Sequence, residues 1–359
     1  MEINLLIPSK MHSNAGGVEK WINYFLENIN YIDNLKINVY CFKVNDDEKK
    51  ISDKFYENVT FHFVNYNSQR SGVYNMIKYY YFASKILFKK NIINVYIGSI
   101  NLAPLIVFSK RNIVWIRSKA IGEQVLRKKI FLKPILELLE KITILKSDYL
   151  IFNGYDTEEF YLKKYNFKCK KKVIPNATKV DYKFEKPTIH NPLRIAYTGR
   201  YISAKGFDFF ETISLSLKNE NIIFNAYGFG KRINDDYKIV DNGKYEESNL
   251  IEILESNDVI LFLNRQENSG GISHSLLEAM AMGKIIIAWD NRVHNQVLNS
   301  SNSILIQEGS SKCLENAIMD VVKNPEKYFV IMQQAYHDSK KYSIKNHMKK
   351  FAKVLEEMQ

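Results

Sequence analysis

Two Rossmann-like, doubly wound α/β domains facing across a cleft are the architecture that three observations predict. Apolar runs of strand length alternate with helical patterns along the chain, which argues for parallel sheets with helices on both faces. A stretch without period, Tyr182–Pro192, carries two prolines and interrupts the alternation. The length, 359 residues, favours two cores over one. The expected division is a first domain over 1–182, a linker over 183–192, a second domain over 193–343, and a helix over 344–359 packing back on the first.

In the first half, Ile3–Pro8, Ile37–Phe42, Val59–Val64, Ile93–Ile97, Ile113–Ile116 and Tyr149–Phe152 are apolar enough to be buried on both faces, as parallel strands are. Helical spacing of apolar residues falls between several of them, at Val18–Ile29, Tyr74–Lys89, Leu132–Lys146 and Thr157–Lys164. After the proline-bearing stretch the pattern restarts. Strands are expected at Ile195–Thr198, Ile222–Tyr227, Val259–Leu263, Ile285–Trp289 and Ser303–Ile306. Helices are expected at Phe207–Lys218, Ser248–Glu255, Ser273–Met282, Ser311–Lys323 and Ile344–Glu357.

Composition narrows the class. At 46% apolar the chain is not disordered, and no run of about 18 apolar residues suggests a membrane span. The segment Met1–Pro8 reads as a strand, not a signal peptide. Cys41, Cys169 and Cys313 are too few and too far apart for a disulfide framework or a zinc site, so a cytoplasmic protein is expected. The 51 basic and 39 acidic residues leave +12, which suggests an anionic partner. Lys78, Lys85, Lys89 and Lys90 sit among aromatic and aliphatic residues, and Arg127, Lys128, Lys129 and Lys133 flank Ile130–Leu132. This mixture suits a helix lying peripherally on an anionic membrane surface, and it equally suits a solvated lysine-rich face over a core helix. No nucleic-acid module is recognisable, so nucleic acid is not an expected partner.

The richest stretch is Glu267–Asp290, a glycine turn, a short helix and an apolar strand. Gly270 and Gly271 permit close backbone approach, and the helix opened by Ile272, Ser273 and His274 presents free N–H groups and a positive dipole end, which suits phosphate. Glu278, one turn in, is placed to accept hydroxyl hydrogen bonds, as from a ribose. Two cations follow another strand: Gly199-Arg200, then Lys205-Gly206. Arg200 could grip a diphosphate with its fork and Lys205 could add a point charge. A third strand ends in Gly228-Phe229-Gly230. The bland readings are a surface ion pair for Arg200, a Ser275-x-x-Glu278 capping box, an exposed or satisfied imidazole for His274 and His12, and a plain strand-to-helix turn for Gly16 and Gly17.

In combination these residues resemble glycosyltransferase family 4, retaining enzymes of the GT-B fold, of the kind that builds bacterial surface polysaccharide. The resemblance rests on Gly199-Arg200 with Lys205-Gly206, Gly228-x-Gly230, Leu277–Gly283, Val173–Asn176 and Gly16-Gly17-Val18-Glu19, and runs to about residue 290. It implies sugar transfer from a nucleotide diphosphate donor to a glycan or lipid-linked glycan acceptor. Arg200 and Lys205 would stabilise the departing diphosphate, Glu278 would bind ribose, and Gly271, Ile272 and Ser273 would hold phosphate oxygens. Gly16 and Gly17 would face the donor phosphate, with base contacts near Tyr245 and Gly228.

The family's two glutamates are separated by seven residues, a spacing that here lands on Gly270, with Glu267 three residues earlier. Either a lengthened turn brings Glu267 to the sugar as a catalytic contact, or that contact is gone. Where many relatives carry a histidine on the acceptor side, this chain has Arg117, a polar contact that cannot act as a base. With no D-x-D pair, no metal or other cofactor is expected. Alternatives are a nucleotide-sugar epimerase and a catalytically degenerate homologue that binds nucleotide sugar or glycan.

Overall fold

The computed structural model describes residues 1–10, 17–43, 58–87, 92–98, 100, 102–119, 121, 132–185, 188–231, 238–245, 249–266 and 270–359. They form two units, Met1–Asn176 with Ile344–Gln359, and Ala177–Ser343.

The first unit is a seven-stranded, wholly parallel sheet in the order β3-β2-β1-β4-β5-β6-β7. The strands are β1 (Glu2–Lys10), β2 (Lys36–Lys43), β3 (Val59–Asn65), β4 (Ile93–Ile97), β5 (Asn112–Ile116), β6 (Tyr149–Phe152) and β7 (Lys170–Val173). Every residue of β4, β5 and β6 is buried, as strands covered on both faces require. Register is pinned by a polar row: Asn38, Asn4, Asn94 and Asn112 stand opposite one another across β2, β1, β4 and β5. Asn4 Nδ2–H donates to Asn94 Oδ1 at 2.9 Å. A one-residue slip would leave these buried amides without partners.

Helices cover both faces. On one lie α1 (Gly17–Glu27) and, from far along the chain, the helix Ile344–Glu357, numbered α11 below in chain order. Its Met348, Phe351, Val354 and Leu355 follow helical spacing and join Trp21, Phe25 and Trp115 in the core. Phe351 stacks on Trp115 with centroids 5.2 Å apart. On the other face lie α2 (Gly72–Leu87), α3 (Ala103–Ile106), α4 (Lys133–Leu145) and α5 (Tyr155–Lys164), through Tyr79, Leu105, Ile144 and Tyr161.

The second unit is a six-stranded parallel sheet, β10-β9-β8-β11-β12-β13. Its strands are β8 (Leu193–Tyr201), β9 (Ile222–Gly230), β10 (Ile239–Asp241), β11 (Val259–Phe262), β12 (Ile285–Asp290) and β13 (Ile304–Gln307). One face carries α6 (Phe207–Ser216) and α9 (Ser311–Lys323). The other carries α7 (Leu250–Glu255) and α8 (His274–Ala281). The helix α10 (Phe329–Ser339) contributes Met332 to one cluster and Ala335 to the other. The proline-bearing stretch belongs to this unit, where Phe184 lies 5.4 Å from the Tyr336 ring, so the units divide at Asn176 and Ala177 rather than at 182.

Candidate functional site

In the second unit the chain lays β8, β9 and β10 outward in one direction and β11, β12 and β13 in the other. The switch point therefore lies between β8 and β11, and ligands of such sheets bind outside the strand carboxyl ends there. The loops bordering it carry Gly199–Gly206 on one side and the approach to α8 on the other.

The first loop is held from beneath. β8 runs past its expected end at Thr198 to Tyr201, because Gly199, Arg200 and Tyr201 pair in register with Gly228, Phe229 and Gly230 of β9. Pairing explains Gly228: a Cβ there would meet Gly199 O at 1.7 Å. Its missing side chain serves the neighbouring strand before any ligand. Arg200 is exposed and forms no ion pair among the described residues, so the surface-pair reading does not describe it. Lys205 follows in a short 3₁₀ turn, Ser203–Lys205. The buried Tyr197 hydroxyl donates to the carbonyls of both Arg200 (2.8 Å) and Lys205 (3.3 Å), tying the two cation-bearing residues to one point. Sequence reading passed over Tyr197, since a tyrosine inside an apolar strand carries no mark of what its hydroxyl reaches.

The second loop leads into α8. Ser273 is the N-cap, its Oγ accepting from Leu276 N–H at 3.2 Å. The cap is thus two residues before Ser275, and the Ser275-x-x-Glu278 box is not what starts this helix. Glu278 lies one turn inside and is fully buried. A carboxylate so placed sits near the positive end of the helix dipole. Ile272 is buried, and His274 is a buried ring whose Nδ1 pairs with Ala177 O at 2.9 Å. The helix ends as Gly283 implies: Gly283 N–H bonds Met280 O and Lys284 N–H bonds Ala279 O.

Further groups lie at these strand ends, of which Glu308 escaped the sequence reading. Glu308, after β13, accepts from Gln266 N–H at 3.1 Å and from Asn291 Nδ2 at 2.8 Å, joining the loops after β11, β12 and β13. His294 is 1% exposed and pairs through Nδ1 with Trp289 O at 2.9 Å. Burial, aided by the charge of Lys205, pushes its pKa down to about 4, so it is a neutral imidazole near Lys205. Tyr245 is half-buried against the α7–α8 cluster, two residues beyond Gly243, whose carbonyl accepts from Gly228 N–H at 2.8 Å.

Residues 192–324 match the family model described as glycosyl transferases, group 1. An uncharacterized glycosyltransferase of Methanocaldococcus jannaschii is 23% identical over 303 residues, 79% of this chain and 72% of that protein. Among solved structures, sucrose-phosphate synthase from Thermosynechococcus elongatus aligns with a TM-score of 0.73 at 12% identity, over 100% of this chain and 99% of that one. The structure of HepE from Anabaena in complex with UDP and glucose aligns with a TM-score of 0.70 at 14% identity, over 99% and 100%. These matches support a glycosyltransferase of the GT-B fold.

Of the residues singled out in sequence for such a glycosyltransferase, Gly199, Arg200, Lys205, Gly228, Tyr245, Gly270, Gly271, Ile272, Ser273, His274 and Glu278 all lie on or beside the carboxyl-end loops of the second unit's sheet. Gly17 opens α1 and Arg117 follows β5, both in the first unit. His12, Gly16 and Glu267 lie outside the described residues.

Proposed function

We propose that this chain is a retaining glycosyltransferase that moves a sugar from a nucleotide diphosphate donor to a glycan acceptor, lipid-linked, in surface-polysaccharide assembly. The observation that carries the reading is the meeting of three things at one switch point: Arg200 with Lys205, the capped start of α8, and Glu278. Breaking the sugar–phosphate bond leaves negative charge on the diphosphate. Fixed cations and helix N–H groups stabilise that charge more in the transition state than before it. The reading gives this work to Arg200 and Lys205, gives the ribose to Glu278, and invokes no metal. UDP bound to the Anabaena protein supports a nucleotide donor.

The test is thermal stability against nucleoside diphosphates and their sugars. A ligand at a hundred times its Kd adds about 2.7 kcal/mol. One nucleotide should raise the melting temperature, and Arg200→Ala and Glu278→Ala should abolish the rise. Melting curves that ignore every nucleotide, beside a responsive control enzyme, would overturn the reading.

The same proposal places the enzyme on the cytoplasmic membrane face. Among the described residues no helix is long and apolar enough to cross a membrane. α2 instead exposes Val73, Ile77 and Tyr81 at four-residue spacing, 70%, 61% and 67% accessible. Lys78 and Lys85 lie exposed on the same helix. On the same sheet face, α4 exposes Ile135, Leu138 and Leu145. Apolar side chains interspersed with lysines suit an anionic interface. Lys78→Glu with Lys85→Glu should weaken binding to phosphatidylglycerol vesicles at least about thirtyfold, at roughly 1 kcal/mol per lysine. Unchanged binding would remove this part.

A further inference from the structure

Arg117 follows β5 in the first unit as a buried cation with no partner of opposite charge among the described residues. It is 9% exposed. Its guanidinium lies 4.4 Å from the Trp21 ring centroid and 5.9 Å from that of Trp115. One donor, on Nη2, is used by Asn176 Oδ1. Nε and Nη1 are buried and have no acceptor.

The imidazole beside it is neutral. His347 stacks on Trp115 at 5.5 Å, accepts from Trp21 Nε1 through Nε2 (3.1 Å) and therefore donates from Nδ1 to Pro175 O (2.8 Å). That tautomer carries no charge, and burial beside Arg117 keeps it so by pushing its pKa down to about 3. Asp156, at the start of α5, is paired with Lys119 at 3.4 Å. The Arg117 backbone is held in place, its carbonyl accepting from Asn153 Nδ2 at 2.6 Å.

A guanidinium held in this way is costly, because two of its three nitrogens are buried without an acceptor from the protein. The aromatic faces offset part of that cost, but an apolar side chain would pack as well without it. What a guanidinium offers that such a side chain does not is a planar fork for carboxylate or phosphate. Its place matters too. The first unit's sheet switches direction between β1 and β4, and β5 adjoins β4, so Arg117 lies at the carboxyl ends beside the switch point, where such sheets receive ligands.

We infer that Arg117 is the receptor for an oxyanion, carboxylate or phosphate, carried by the molecule the first unit binds. On the glycosyltransferase reading, on which this identification of the molecule rests, the acceptor is acidic: a uronic-acid residue or a phosphate ester lies next to the hydroxyl that receives the sugar.

The experiment titrates the full chain with inorganic phosphate, glycerol 1-phosphate and glucuronate, with glycerol and glucose as neutral counterparts, at constant ionic strength. Melting temperature and tryptophan fluorescence are read together, since Trp21 and Trp115 flank the guanidinium. At least one oxyanion should shift both signals, and the one that does names phosphate or carboxylate as the source. The Arg117 variants are read in the Arg200→Ala background, which removes the second unit's grip on phosphate. There the response should persist, vanish on adding Arg117→Gln and weaken at least tenfold on adding Arg117→Lys. Should the Arg117→Gln variant not fold, the loss with Arg117→Lys against retention in Arg200→Ala alone decides. No response to any oxyanion in the unaltered chain overturns the inference. So does a response that survives Arg117→Gln in this background, or one lost in Arg200→Ala alone. Nucleotide binding is scored separately. An oxyanion response without a nucleotide response would keep Arg117 as a receptor and sink the transferase reading, and the converse would do the reverse.

Discussion

Replacing Arg200 with alanine is expected to lower transferase turnover about 10²- to 10³-fold, or about 2.7–4 kcal/mol of transition-state stabilisation, the scale found when one preorganised charge-stabilising donor is removed. Arg200 is exposed and without an ion-pair partner among the described residues, so its charge is available to a ligand. Its carbonyl is fixed by Tyr197, which costs the ligand nothing in ordering that stretch of chain. Lys205→Ala should fall in the same range. The double variant should lose less than the product, because both act on the same developing charge. Arg200→Lys should be intermediate, keeping the charge but not the fork. Steady-state kinetics with the donor identified by thermal shift reads all four, and turnover within threefold of the unaltered enzyme in Arg200→Ala would refute the assigned role.

The largest expected effect on stability comes from Gly206→Ala. Gly206 has φ +73°, and a Cβ built on it would lie 2.1 Å from Leu263 O and 2.4 Å from Leu263 Cβ. The left-handed conformation alone costs an alanine about 1–2 kcal/mol. Relieving the overlap with β11's exit adds about 1–3 kcal/mol. A total of about 3 kcal/mol should appear as an earlier unfolding transition. Gly206 also follows Lys205 and bonds Ser203 O through its N–H at 2.9 Å, so relief moves the lysine and nucleotide affinity should drop as well. Calorimetry on the full chain reads the shift, and an unmoved transition would count against the packing described.

The sheets were legible because their central strands are buried on both faces, as Ile93–Ile97, Asn112–Ile116 and Tyr149–Phe152 show. The edges were not. Lys170–Val173 is three lysines and a valine on an outer strand, and Ile239–Asp241 is three residues long. The helix Phe329–Ser339 also went unread, since it buries only Met332, Ala335 and Ser339 and gives no apolar stripe. At the site, Arg200 and Lys205 stood out because cations directly after an apolar run are unusual. Gly199 was read as a strand end, whereas it continues β8 opposite Gly228. Local sequence cannot express that pairing, because the partner lies 29 positions on. Tyr197 and Glu308 act through bonds to carbonyls, amides or another loop, and such bonds leave no periodicity or composition to read.

The return of α11 into the first sheet's core sets an order of events during synthesis. Trp115 and Phe25 acquire Phe351 only after the whole of Ala177–Ser343 has been translated. The ribosome therefore makes the first unit early yet releases it unfinished, with part of an aromatic core open, while the second unit has every strand and helix it needs by Ser343. Domains usually mature in the order they emerge. Here the order of completion is reversed, and the interval between the two is a window in which an exposed indole surface invites chaperones or aggregation.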